Sequence, residues 1–208
     1  MLATSATLPF EMLRAAESAA RAKEGSQVEP VLIQTTSIDK LPIKTSIGFS
    51  LSPDTKLADV GDSDIIYLPA LWRNPRPIVK KHPEILAWLR KAYENGAMLS
   101  AVGTGCCFLA EAGLLNDKPA TTHWHYFDQF QRDYPRVKLK RQYFITQASN
   151  LYCSASVNAM ADLTVHFVKR LYGEAIASVV ERNFSHEIRR PYENTSYFEG
   201  STKQHPDE

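Results

Sequence analysis

Short apolar runs alternate along this chain with longer segments of helical period, and Gly or Pro marks most of the changes. Phe10 to about Lys23 has apolar positions at helical spacing and stops at Gly25, with Pro9 expected at the first helical position. Val28 to Thr35 reads as a strand, and Ile47 to Leu51 as a shorter one in a turn-rich region closed by Pro53-Asp54. Ile65 to Leu68 is a β-branched run ended by Pro69, and after a Pro- and Arg-rich loop Pro83 opens a helix through Leu86, Leu89 and Tyr93. Ala97 to Val102 is a buried strand by its length and unbroken apolar character. Gly103-Thr104-Gly105 follows, then a helical stretch from Cys106 to Ala112 that stops at Gly113. Ala120 to Trp124 predicts a strand and Tyr126 to Tyr134 a helix. Val137 to Leu139, Tyr143 to Thr146 and Leu151 to Cys153 predict three short strands. Ala155 to Leu171 is apolar on nearly every side, which predicts a helix buried between layers. Gly173 separates it from a last helix reaching about Ile188, which Arg189-Arg190-Pro191 breaks.

Strands alternating with helices predict an α/β fold: a three-layer sandwich with a mostly parallel sheet and helices on both faces. Such a sheet ordinarily opens on a central strand, whereas this sequence opens in a loop and a helix, so a strand upstream is expected. Residues 1–190 are expected to form the domain and 191–208 a loose polar tail. The 208 residues suffice for one core, and 24 basic against 23 acidic residues leave a net charge of +1. That balance excludes this stretch as a reader of nucleic acid, which needs clustered Lys and Arg. Three cysteines, two of them adjacent, make no disulfide framework and predict reduced thiols in the cytoplasm. No apolar run approaches the ~18 residues of a membrane span, and Glu11 and Arg14 interrupt any signal peptide.

A strand, a tight glycine turn and a helix start together describe a nucleophile elbow, with a reactive Ser or Cys at its centre. Here the centre is Gly103. No attacking atom remains, which moves the expectation from catalysis to binding. The N–H groups of the turn can hold a carboxylate or carbonyl oxygen; alternatively, glycine only relaxes a strained turn in a decayed pocket. Cys106 lies in the first helical turn, where the helix dipole lowers a thiol pKa, so it reads either as a displaced nucleophile or as packing. His123 and His125 would share a strand face, yet no third ligand lies nearby in sequence; they are read as structural, with no metal. Trp72, Trp124 and Tyr126 form either an aromatic wall for a cationic ligand or core and dimer contacts. Lys138, Lys140 and Arg141 suit a solvated edge strand.

Four stretches carry a resemblance that spans about residues 3 to 190. They are Ala6-Thr7-Leu8-Pro9-Phe10-Glu11-Met12-Leu13, Leu109-Ala110-Glu111-Ala112-Gly113-Leu114-Leu115, Ala120-Thr121-Thr122-His123-Trp124 and the run from Ser154 to Leu163. The sequence resembles the class I glutamine-amidotransferase-like (ThiJ/PfpI-type) superfamily. It is most similar to the domain that precedes the helix-turn-helix module in one branch of AraC-family transcriptional regulators. The resemblance implies a flavodoxin-like sheet. The family's reactive cysteine corresponds to Gly103, an acidic residue of its enzymes to Ser5, and a Gly-Gly pair that supplies an oxyanion-hole amide to Ala70-Leu71. Only His123 survives from the catalytic set. The resemblance therefore implies a non-catalytic, cofactor-free sensing and dimerisation domain, a cytoplasmic homodimer that takes a small nitrogenous metabolite. The ligand would lie against Gly103, Thr104, Gly105, His123, Ser5 and Trp72. DNA would be met only through a helix-turn-helix domain outside these residues, with 191–208 as the linker toward it. Two alternatives stand beside it: a ThiJ/PfpI-type cysteine hydrolase or glyoxalase-like enzyme using Cys106, and a structural dimerisation module with no ligand.

Overall fold

A computed structural model describes residues 1–185. The expected helix end near Ile188, the break at Arg189-Arg190-Pro191 and the 191–208 tail lie outside the described residues. Helix α1 spans Thr4–Glu24, so it starts earlier than the sequence pattern predicts. Ser5 and Thr7 N–H groups already bond back to Leu2 and Ala3 carbonyls, which winds a first turn ahead of the proline. Pro9 lies inside the helix, where it offers no N–H to the Ser5 carbonyl.

The chain then makes four two-residue strands, β1 (Thr36–Ser37), β2 (Ile43–Lys44), β3 (Ser50–Leu51) and β4 (Thr55–Lys56). Here two expectations are corrected. Val28 to Thr35 is no strand: its chain is tethered through Arg14 to the Val31 carbonyl and through Asp54 to Thr35, and Leu32 is 81% exposed. Ladder pairing begins only at Thr36, parallel to β4. A β-branched run without a neighbouring strand has no partner for its backbone groups. Ile47 to Leu51 narrows to Ser50–Leu51, because Thr45 and Phe49 close a turn between β2 and β3.

The principal sheet contains β5 (Ile65–Leu68), β6 (Met98–Val102), β9 (Ile145–Ala148) and β10 (Leu151–Ser154), in the order β5-β6-β10-β9. The β5–β6 and β6–β10 pairs are parallel, with Leu68 opposite Ala101 and Ala101 opposite Cys153; β9 returns antiparallel. Side chains alternate between two helical layers. Leu99, Ala101 and Cys153 join a core with α2 (Arg76–Lys81), α3 (Pro83–Glu94), α4 (Cys106–Glu111) and α5 (Phe127–Asp133). Tyr67 and Tyr152 face the other way and meet the Phe167 ring edge-on at 6.2 and 5.1 Å. Burial on both faces explains why β5, β6 and β10 read as largely apolar runs, whereas the antiparallel edge strand β9, with Ile145 and Gln147 exposed, does not.

Phe167 belongs to α6 (Val157–Ser185), which is interrupted at Gly173, where φ is 80°. Met12, Ala16 and Ala20 of α1 pack against Ala161, Val168, Ile176 and Val180 of α6. The helix is not buried all round: Asp162, His166, Lys169 and Arg170 are exposed, so α1 and α6 form an outer layer. A small parallel pair, β7 (Pro119–Ala120) and β8 (Lys138–Leu139), completes the strands among the described residues. The expected strand to Trp124 therefore stops at Ala120. Residues 124–126 form a 3₁₀ turn capped by His123, whose Nδ1 accepts from the His125 N–H at 3.4 Å.

Candidate functional site

Strand β6 ends at Val102 and the chain turns through a single 3₁₀ turn, Gly103–Gly105, directly into α4. Two glycines are required here for different reasons. Gly103 has φ +52°, the left-handed region in which a side chain is disfavoured. A Cβ on it would sit 3.6 Å from both Ala70 Cβ and His123 Cβ, an ordinary contact distance, so the backbone and not crowding sets the preference. At Gly105 crowding decides: a Cβ would lie 2.6 Å from the Leu68 carbonyl oxygen and 2.7 Å from that of Pro69. The elbow is pressed onto the loop that leaves β5.

That loop is bound on two sides. The Ala70 N–H donates to Ser5 Oγ at 3.0 Å, Ser5 Oγ donates to the Leu2 carbonyl at 2.6 Å, and the Leu2 N–H donates to the Ala70 carbonyl at 2.9 Å. The Leu71 N–H donates to Thr104 Oγ1 at 2.9 Å, and Thr104 Oγ1 returns a bond to the Leu71 carbonyl at 2.6 Å. Ser5 is 1% exposed and Thr104 is buried. Across the turn, buried Thr122 donates to the Gly103 carbonyl at 2.8 Å.

Ser5, Gly103, Thr104, Gly105 and His123 are thus gathered around Ala70 and Leu71, while Trp72 continues the same loop and stands 56% exposed. Burial, and secondarily the His125 ring, pull the His123 pKa below its ordinary value. The aromatic trio divides. Trp124 is 68% exposed and its ring lies 4.8 Å from that of His125, edge-on. Tyr126 packs instead against the core of the α2–α5 layer. His123 and His125 do not share a strand face, and among the described residues no group of three His, Cys, Asp or Glu is placed to hold a metal. Among them, too, no helix is long and apolar enough to cross a membrane.

Of the two readings of Cys106, the structure shows the packing one, and the helix start does not lower its thiol pKa. Cys106 is fully buried, and burial, reinforced by neighbouring Cys153, pushes its thiol well above the ordinary cysteine value. Its Sγ donates to the Ala101 carbonyl at 3.6 Å, inside the core. A short helix start offers little when the sulfur points away from water. Sequence reasoning placed Ala70-Leu71 beside the site through the resemblance but missed Thr122 as a member of it. Two adjacent threonines inside an apolar stretch were the available clue to Thr122, since a buried hydroxyl needs an acceptor.

Comparison with known proteins places this geometry in context. The DJ-1/PfpI family profile matches residues 4–170. The HTH-type transcriptional regulator CdhR of Pseudomonas aeruginosa is 30% identical over 80% of this chain, which spans 48% of that protein, about half its length. An isonitrile hydratase of Pseudomonas putida is 26% identical over 76% of the chain and 67% of the enzyme. In fold, the crystal structure of an AraC family transcriptional regulator from Pseudomonas putida superposes with a TM-score of 0.67 at 22% identity, covering 85% of this chain and 91% of that one.

Proposed function

The chain belongs to the DJ-1/PfpI family, and we propose that within it this domain is a non-catalytic effector sensor of an AraC-type transcriptional regulator. The observation that carries the reading is the elbow without an attacking atom. Residue 103 has no side chain, and the nearest thiol in sequence, Cys106, is sealed in the core with its pKa raised. A histidine without a neighbouring thiol to deprotonate has no covalent step to assist. The regulator CdhR, similar over 80% of the chain, supports a regulatory role.

In this proposal residues 1–190 form the sensor in the cytoplasm, two copies associate, and a small nitrogenous metabolite binds against Gly103, Thr104, Gly105, His123, Ser5 and Trp72. Exposed Trp72 and Trp124 supply ring faces for a cationic group. DNA is met through a helix-turn-helix domain outside these residues. The ligand acts by binding one dimer geometry better than another, because equal affinity for both would shift nothing.

Thermal-shift and calorimetric titration with betaines, carnitine-like compounds and amino acids tests the reading. A binding ligand at a hundredfold its Kd stabilises by about 2.7 kcal/mol, and His123→Ala or Trp72→Ala removes the shift. Turnover of an ester, dicarbonyl or isonitrile by the unmodified protein, lost in Cys106→Ser, would instead establish the enzymatic alternative. The internal bonding of Ser5 and Thr104 favours a second reading, a dimerisation module without ligand. A dimer in solution that no panel member stabilises would support it.

A further inference from the structure

A turn that delivers an attacking atom works only beside N–H groups that are free to receive the oxygen on which charge develops. The family resemblance puts Ala70 and Leu71 in that place, and a side chain on residue 103 would begin 3.6 Å from Ala70 Cβ. Their N–H groups are not free. Ala70 gives its proton to Ser5 Oγ and Leu71 gives its proton to Thr104 Oγ1. Each hydroxyl is held in turn by its own donation, Ser5 to the Leu2 carbonyl and Thr104 to the Leu71 carbonyl. Neither can rotate aside without leaving buried polar groups unpaired.

We propose that Ser5 and Thr104 are built-in occupants of an oxyanion site: their hydroxyl oxygens stand where the oxygen of a bound carbonyl compound would be held. Resting on the non-catalytic reading above, this means that the elbow is silenced at three positions, and a thiol restored at 103 alone would meet no oxyanion donors on this loop. The close seat of the loop keeps the arrangement in register. With the Leu68 and Pro69 carbonyl oxygens 2.6 and 2.7 Å from where a Cβ of residue 105 would lie, the loop rests directly on the turn that carries Thr104.

The test places a thiol at the elbow with Gly103→Cys, alone and together with Ser5→Ala and Thr104→Ala. Two reagents are compared. Iodoacetamide alkylates the thiolate with loss of iodide and builds no oxyanion. With p-nitrophenyl acetate the thiolate adds to the carbonyl carbon, the tetrahedral oxyanion collapses, p-nitrophenolate leaves and a thioester remains, the thiol proton having passed to water. The ratio of acylation to alkylation therefore reads oxyanion stabilisation apart from thiol ionisation and access. It is expected to rise about 100-fold when both hydroxyls are removed, by analogy with the effect of one oxyanion donor. An unchanged ratio in a folded triple variant overturns the proposal. Ester turnover by the protein without any introduced thiol would instead overturn the non-catalytic reading. Should the triple variant not fold, amide exchange in single variants decides. Thr104→Val should speed exchange of the Leu71 N–H at least tenfold and spare Ala70, and Ser5→Ala should do the reverse. Unaltered exchange in both would refute the assignment.

Discussion

The two ends of the β5–β6 pair hold polar groups in opposite ways. At the C-terminal end, the Ala70 and Leu71 amides, the Ser5 and Thr104 hydroxyls and the Gly103 carbonyl are all paired within the protein, in contact with the core. At the N-terminal end lies an open groove of about 460 Å³, lined by residues that include Val60, Asp62, Ser63, Trp88, Lys91 and Asn95. There the pair from Asn95 Nδ2 to Asp62 Oδ1 at 3.1 Å is exposed. Water can replace any partner lost in the groove. At the elbow the Ser5, Thr104 and Thr122 side chains are buried, so breaking one of their hydrogen bonds costs the desolvation of what remains.

The comparison is broken most forcefully at Gly105. Gly105→Ala drives a Cβ into two backbone carbonyls and should cost about 3–5 kcal/mol, whereas Gly103→Ala, limited to the price of a positive φ, should cost about 1 kcal/mol. Urea denaturation of the two variants measures the gap, and equal costs would show that the loop is not seated as described. Thr104→Val comes next. It removes two bonds and strands the Leu71 N–H, for an expected loss of about 1–3 kcal/mol by the same measurement.

A smaller effect follows pH. The folded-state pKa of His123 lies below 6.5, so the unfolded chain binds the proton more readily. The contribution of this group is present above pH 6.5 and is lost as pH falls through the lowered folded value. His123→Gln should flatten that part of the stability profile, and an unchanged slope would show that partial burial does not shift His123. Smallest of all, Asn95→Ala in the groove should change stability by less than about 0.5 kcal/mol. A loss comparable to that of Thr104→Val would erase the contrast between the ends.

Local chemistry decided the elements with strong period and clear punctuation. Ile65 to Leu68, Ala97 to Val102 and the Pro83 helix are where their apolar spacing puts them, and Gly173 divides α6 as its position predicts. Val28 to Thr35 and the stretch from Ala120 to Trp124 carry strand-like composition, yet the first finds no ladder and the second pairs only at Ala120, because pairing depends on what lies beside a strand. That residue 103, at the centre of the turn between β6 and α4, carries no side chain was legible from one residue. The closure of the loop was not. Ser5 lies 65 residues from Ala70 and Thr104 33 from Leu71 along the chain, and only the seating of α1 and the elbow against the end of β5 brings hydroxyl to amide. Sequence alone determined which atoms this site lacks, since identity is local; tertiary structure decided which remaining groups are free, since a hydrogen bond is settled by distance and burial.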